Sequence, residues 1–220
     1  MRKLEFSIVL LAALAFSCQS LAPEFILHET RQSLDNCSVP TSLEAQVITH
    51  FVARPWRSGA GPDSIVRALI LDSTVSIGRR PIYANAAISF GVPLSSLQMS
   101  LRDSVRVHAL KVIFDSINAT TYPFCPHNLG SSGIFTVSTQ EFNAAWERYD
   151  SDAYRQIYKQ FPHALGVQAF SRVAFSTDST LAMVYHEVRC GPLCGEGSLM
   201  IYKLVDGEWL YWRGLPLWRS

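Results

Sequence analysis

The stretch RCGPLCGEGS, residues 189–198, puts two cysteines and three glycines into ten positions. Apolar, β-branched sequence flanks it, LAMVYHEV before and LMIYKLV after. Two such runs joined by a short glycine-containing connection predict a β-hairpin. Across a tight hairpin the Cβ atoms of Cys190 and Cys194 can come within bonding distance, so the stretch reads as a turn stapled by a disulfide. Gly191, Gly195 and Gly197 are expected to give the backbone positive φ. Two rival chemistries remain. Zinc prefers Cys-x2-Cys with a second pair of ligands. Thiol redox motifs place Cys-x-x-Cys at a helix N-terminus. Here the spacing is three and both neighbours are strands. The HEVRC segment, residues 186–190, begins like a His-Glu-x-x-His zinc motif, but Cys190 replaces the second histidine and the segment is not helical.

From Gly166 the apolar period is two. Runs at residues 167–176, 181–190, 198–205 and 209–212 are joined by Thr177-Asp178-Ser179, the cysteine turn and Asp206-Gly207. Asp-Gly between apolar runs is a strong hairpin signal, and the whole predicts an antiparallel meander of about four strands. Both faces carry apolar side chains: Leu181, Met183 and Tyr185 on one, Ala182, Val184 and Val188 on the other. Both faces are therefore expected to be covered, or one rolled into a cavity. Arg172, Glu187 and Lys203 alternate with apolar neighbours, and buried charges need partners. An Arg172–Glu187 pair across neighbouring strands is the expected solution.

Upstream, the pattern is helical. TSLE, residues 41–44, has capping-box spacing, and Leu43, Val47 and Phe51 line one face before Pro55. Residues 64–78 read as one strand or two short ones, and residues 79–98 as irregular. Leu101, Val105, Ala109, Val112 and Ser116, with Ile113 beside them, make a second helical stripe, with His108 packed at its edge. Residues 118–133 form a loop. Ser138 and Glu141 open a third helix, stapled by Val137 and Phe142. Phe142, Trp146, Tyr149, Ala153 and Ile157 carry its core face to about Phe161. N-terminal and central helices packed on a C-terminal antiparallel meander make an α+β fold.

The first eighteen residues read as an export signal: Arg2 and Lys3, then an apolar run from Phe6 to Phe16 too short to span a bilayer. Ala15-Phe16-Ser17-Cys18 resembles a bacterial lipobox, which implies a lipid on Cys18 and a membrane contact through that anchor only. The alternative is ordinary cleavage and a free periplasmic or secreted protein. Residues 19–40 follow as a tether, and 41–220 as a single α+β domain. Removing Arg2, Lys3 and Glu5 from 19 basic and 18 acidic residues leaves 17 of each. That balance gives no case for nucleic acid. Export places Cys37, Cys125, Cys190 and Cys194 where disulfides persist. If the hairpin pair bonds, Cys37 pairs with Cys125 by elimination.

Residues 170–175 (FSRVAF), 190–204 (CGPLCGEGSLMIYKL), 206–209 (DGEW) and 217–220 (LWRS) together resemble a family of uncharacterised exported bacterial proteins, many of them lipoproteins. The resemblance covers roughly residues 140–220 and brings no reaction with it. A helix followed by a meander ending in Asp-Gly-x-Trp is also similar in shape to the NTF2-like cone folds, which implies a pocket.

No Gly-x-Ser-x-Gly elbow, phosphate loop or paired-carboxylate spacing is present. No catalytic residue, metal or cofactor is therefore expected. The function that follows is an envelope protein, anchored to the outer membrane, that binds a small molecule or an envelope partner without chemistry, or serves as a structural module. Its polar site would draw on Arg172, His186 and Glu187. The alternative is an envelope hydrolase assembled from Ser171, Arg172, His186 and Glu187.

Overall fold

The computed structural model describes residues 39–52, 67–76, 97–125, 129, 134–149 and 151–220. The export signal, most of the tether, Pro55 and nearly all of the stretch 79–98 lie outside them. Among the described residues four helices accompany an open, mixed seven-stranded sheet, an α+β arrangement. The helices are α1 (Ser42–Val52), α2 (Leu101–Ile117), α3 (Thr139–Tyr149) and α4 (Ser151–Gln160).

The strands are β1 (Arg67–Leu71), β2 (Ile134–Val137), β3 (Ala164–Phe170), β4 (Ala174–Phe175), β5 (Leu181–Gly191), β6 (Cys194–Val205) and β7 (Glu208–Arg219). They run in the order β2-β1-β3-β5-β6-β7, with β4 also paired to β5. The meander is present, and the Asp-Gly turn takes the two positive φ values of a type I′ hairpin, Asp206 at 52° and Gly207 at 85°. The cysteine turn is tighter than expected. Gly191 and Cys194 are register partners, leaving Pro192 and Leu193 at its tip.

Two features extend the meander. β1 pairs in parallel with both β2 and β3, so the sheet is mixed. β2 itself falls in a four-residue run, IFTV, too short to show a period. The first run of the meander is divided at residues 171–173, where the chain leaves β5 after Phe170 and returns at Ala174.

Alternation along β5 sorts the core. Ala182 and Val184 share a buried cluster with Ile70, Phe170, Tyr202 and Trp209, and with Val47 and Ile48 of α1. Leu181, Met183 and Tyr185 face the other way, in a cluster with Val107, Leu110 and Phe114 of α2. A third cluster joins Leu69 and Val167 to Phe142, Tyr154 and Ile157 of α3 and α4. Both faces of the central strands are thus covered.

The helix starts are as expected. Thr41 N–H donates to Glu44 Oε2 (2.8 Å) and Glu44 N–H to Thr41 Oγ1 (3.3 Å), a closed capping box. Ser138 Oγ accepts from Glu141 N–H at 3.2 Å, and Val137 and Phe142 share a buried cluster. The expected third helix is two, α3 ending at Tyr149 and α4 beginning at Ser151; the sequence Asp-Ser-Asp at that point favours a helix start over a helix interior.

The expected face of α2 is corrected. Leu101, Val105 and Val112 are 85%, 63% and 61% exposed, and His108 is exposed as well, not packed. Apolar residues lie on both sides of this helix. The sheet takes the side carrying the larger Leu110 and Phe114, leaving the smaller stripe outside.

The break at residues 171–173 is held from two helices. Buried Glu44 Oε1 accepts from Arg172 Nε and from Val173 N–H, both at 3.2 Å. Buried Asn118, which ends α2, accepts from Arg172 N–H (2.7 Å) and donates to the Arg172 carbonyl (3.2 Å). Arg172 is therefore paired with Glu44, not with Glu187. The break takes Arg172 out of the strand alternation on which the expected pair depended.

Glu44→Ala removes the capping box, a partner of Arg172 and the acceptor of a buried backbone N–H together. It is expected to cost ~2–3 kcal/mol in urea unfolding, with Glu44→Gln costing less because an acceptor remains. A loss of under ~0.5 kcal/mol, the size of an ordinary surface change, would show that the clamp contributes little.

Candidate functional site

His186 and Glu187 are neighbours on β5 and so project to opposite faces of the sheet. Both are buried. Glu187 accepts from the Tyr185 hydroxyl (2.7 Å) and from Arg189 Nη2 (2.6 Å), and the Tyr185 oxygen accepts from Trp218 Nε1 (2.8 Å). This chain runs along one face. Burial first, and then the Glu187 carboxylate, push the Tyr185 hydroxyl far above the usual tyrosine range, so it stays protonated as a donor.

The glycines of the cysteine stretch serve this chain. Gly191, Gly195 and Gly197 do not have positive φ; among the described residues only Gly166 and Gly207 do among glycines. The role of Gly195 and Gly197 is space. A Cβ on Gly195 would meet the Trp218 ring at 3.0 Å. A Cβ on Gly197 would overlap the indole Nε1 and stand 2.5 Å from the Tyr185 hydroxyl. The CGEG and LWRS segments are thus two halves of one contact. Cys190 and Cys194 form the expected disulfide, with Cα atoms 5.0 Å apart. Tyr158 of α4 ties the turn down by donating to the Cys190 carbonyl (2.8 Å). Cys125 is also disulfide-bonded, and its N–H donates to the carbonyl of Val39, two residues beyond Cys37. Cys18 and Cys37 lie outside the described residues.

On the opposite face His186 stacks on Phe170, centroids 4.7 Å apart, and its Nε2 meets Gln168 Oε1 at 3.1 Å. Burial pushes its pKa down to about 3, so the ring is neutral at physiological pH. Ser171 is not its partner: Ser171 Oγ donates to the Arg172 carbonyl and accepts from Tyr185 N–H. Of the expected polar set, then, Arg172 belongs to the α1 clamp, Glu187 to the Tyr185–Trp218 chain and His186 to Gln168. They form no single site.

A cleft of about 520 Å³ opens on the His186 side, under the stapled turn. Leu165, Gln168 and Val188 line it, the Cys190–Cys194 disulfide forms one wall, and Glu196 and Arg219 stand at its rim, paired at 2.9 Å. The size lies within the range of small-molecule sites, and the lining is mostly apolar with few polar groups, as such sites are. Gln168 is its one buried polar side chain, a single neutral amide inside the apolar run GVQAF that carries no sequence signal of a site. Among the described residues no group of three or more His, Cys, Asp or Glu could hold a metal ion.

Comparison with family models, with curated proteins and with solved structures returned no match. The cleft and the two buried chains are therefore read on their own chemistry.

Two measurements test this geometry. Gly197→Ala is expected to cost ~1–3 kcal/mol by overpacking, and less in a Trp218→Ala background, where the clash with the indole is gone and that with the Tyr185 hydroxyl remains. Equal costs in both backgrounds would dissociate the glycine from Trp218. The second concerns pH. The unfolded chain protonates His186 near 6.5 and the fold only near 3. Between those values the unfolded state binds the extra proton. Stability from this group is full above pH 6.5 and falls as pH drops toward 3, by up to ~1.4 kcal/mol per pH unit. His186→Gln should flatten the Tm profile between pH 6.5 and 4.5; an unchanged slope would assign the titration elsewhere.

Proposed function

We propose that the chain is an exported, lipid-anchored envelope protein that binds an apolar small molecule, or a short apolar segment of an envelope partner, without chemistry. The cleft beneath the stapled turn carries this reading. It is a concave, largely apolar site whose polar contact is a neutral amide. The polar residues that would serve a hydrolase are committed elsewhere. His186 faces an amide rather than a nucleophile, and the Ser171 hydroxyl is held by backbone groups. A meander curved around this cleft, as in cone-like folds, belongs to the same reading.

The Cys190–Cys194 disulfide supports an oxidising compartment. No helix among the described residues is long and apolar enough to cross a membrane. The anchor in this reading is a lipid on Cys18, and Cys37–Cys125 ties the tether to the domain.

Native mass spectrometry of the protein from its own envelope tests both parts. The N-terminal peptide is expected to start at a lipidated Cys18, and the intact protein to carry a non-covalent ligand that Leu165→Trp, which fills the cleft, releases. An unmodified N-terminus downstream of Cys18 would remove the anchor. A bound species retained by Leu165→Trp would move binding away from this cleft.

A further inference from the structure

The cleft does more than exclude water, because its floor has a polarity of its own. Gln168 is 4% exposed and lines the cleft. Its Oε1 faces His186 Nε2 at 3.1 Å. The ring is neutral, so the nitrogen that meets the amide oxygen is the one carrying the proton, and His186 donates. The Phe170 ring stacked on the imidazole holds it in that plane. With its oxygen occupied, Gln168 keeps a carboxamide nitrogen with no hydrogen-bond partner among the described residues. A donor open to an otherwise apolar cleft is available to an acceptor on a ligand.

The surroundings narrow what that acceptor can be. The side chains beside Gln168 are Leu165, Val188 and the disulfide, none of which bears charge. The charged groups that line the cleft, Glu196 and Arg219, satisfy each other, and Arg219 is 79% exposed at the rim. Arg189 projects from the other face of the sheet, where Glu187 holds it. A carboxylate brought to the floor would lose its water and find no cation. A hydroxyl would bring its own donor, for which the floor offers only the second lone pair of Gln168 Oε1, beside the bond from His186. A carbonyl brings an acceptor and nothing else to satisfy.

We propose that this cleft selects an uncharged, mainly apolar molecule by receiving its carbonyl oxygen on the side-chain amide of Gln168. Ketones, esters and N-acyl groups share that chemistry. His186 is then a positioning residue: it fixes which end of the amide faces the ligand and touches no ligand itself. The proposal rests on the binding function given above and adds the class of ligand.

Four probes of equal chain length separate the possibilities: 2-octanone, 2-octanol, octanoate and n-octane. They are titrated by calorimetry into the mature protein in lipid nanodiscs at pH 7, with empty discs as the reference for partition. The expected order puts 2-octanone first, about five-fold above 2-octanol and n-octane, the worth of one neutral hydrogen bond, and octanoate last. Gln168→Leu should abolish the ketone's advantage while leaving n-octane unchanged. Gln168→Asn shortens the reach and should reduce that advantage. Equal binding of all four probes would overturn the carbonyl selection and leave the binding function standing. So would a preference for octanoate, which would reveal a cation at the floor. No binding of any probe, with Leu165→Trp indistinguishable from the parent protein, would overturn both. The ranking in the parent protein decides the matter even where the Gln168 variants fold poorly.

Discussion

The structure turns on three residues where a strand stops being a strand. After Phe170 the regular pairing with β5 stops, Ser171 N–H still donating to the Tyr185 carbonyl, and it resumes at Ala174. A break inside a buried sheet exposes backbone groups that must find partners. Here they find Glu44 from α1 and Asn118 from the end of α2. One carboxylate closes a helix start, holds a guanidinium and satisfies a backbone N–H, so α1 cannot shift without disturbing the sheet beneath it. β3 ends at this break, and its register with β5 brings Gln168 to His186. Removing one partner of such a set costs more than the contact itself contributes, since the others are left buried and unmet.

What could be read from the sequence was what local chemistry decides. Capping at Thr41 and Ser138, the Asp206-Gly207 turn and the Cys190–Cys194 staple each depend on residues within a few positions of one another. The misread parts depend on distance. Arg172 lies far from Glu44 along the chain, and no alternation pattern connects them. The α2 stripe was misplaced because both sides of that helix are apolar, so the periodicity fits either; only the neighbouring sheet chooses. β2 is not legible in the sequence because its four residues acquire strand character from pairing with β1. The glycines were located correctly but explained by the wrong property. A sequence shows that a side chain is absent, not whether the absence serves the backbone or a neighbouring ring.

The candidate site shows the same division. His186 stood out as a titratable group in an apolar run, and Gln168 did not, because a neutral amide announces no chemistry. Yet in a floor without charges the amide supplies the polarity, and the histidine orients it. Glu187 and Arg189 form a buried ion pair and lie on the far face, joined to Tyr185 and Trp218. The sheet thus separates a charged interior chain, which contributes to the fold, from a neutral hollow suited to a ligand.

The parallel pairing of β1 has a consequence in time. Ala68 pairs with Ile134 and Leu69 with Val167, while β5, β6 and β7 pair with their sequence neighbours. A chain emerging N-terminus first presents β1 long before either partner exists, whereas the meander can close on itself within a few tens of residues. Contacts so distant along the chain carry a loop-closure cost that slows their formation. Under the export proposed above, with the chain crossing its membrane unfolded, a topology that leaves its first strand waiting for its third would keep the leading half unpaired until the trailing half has passed.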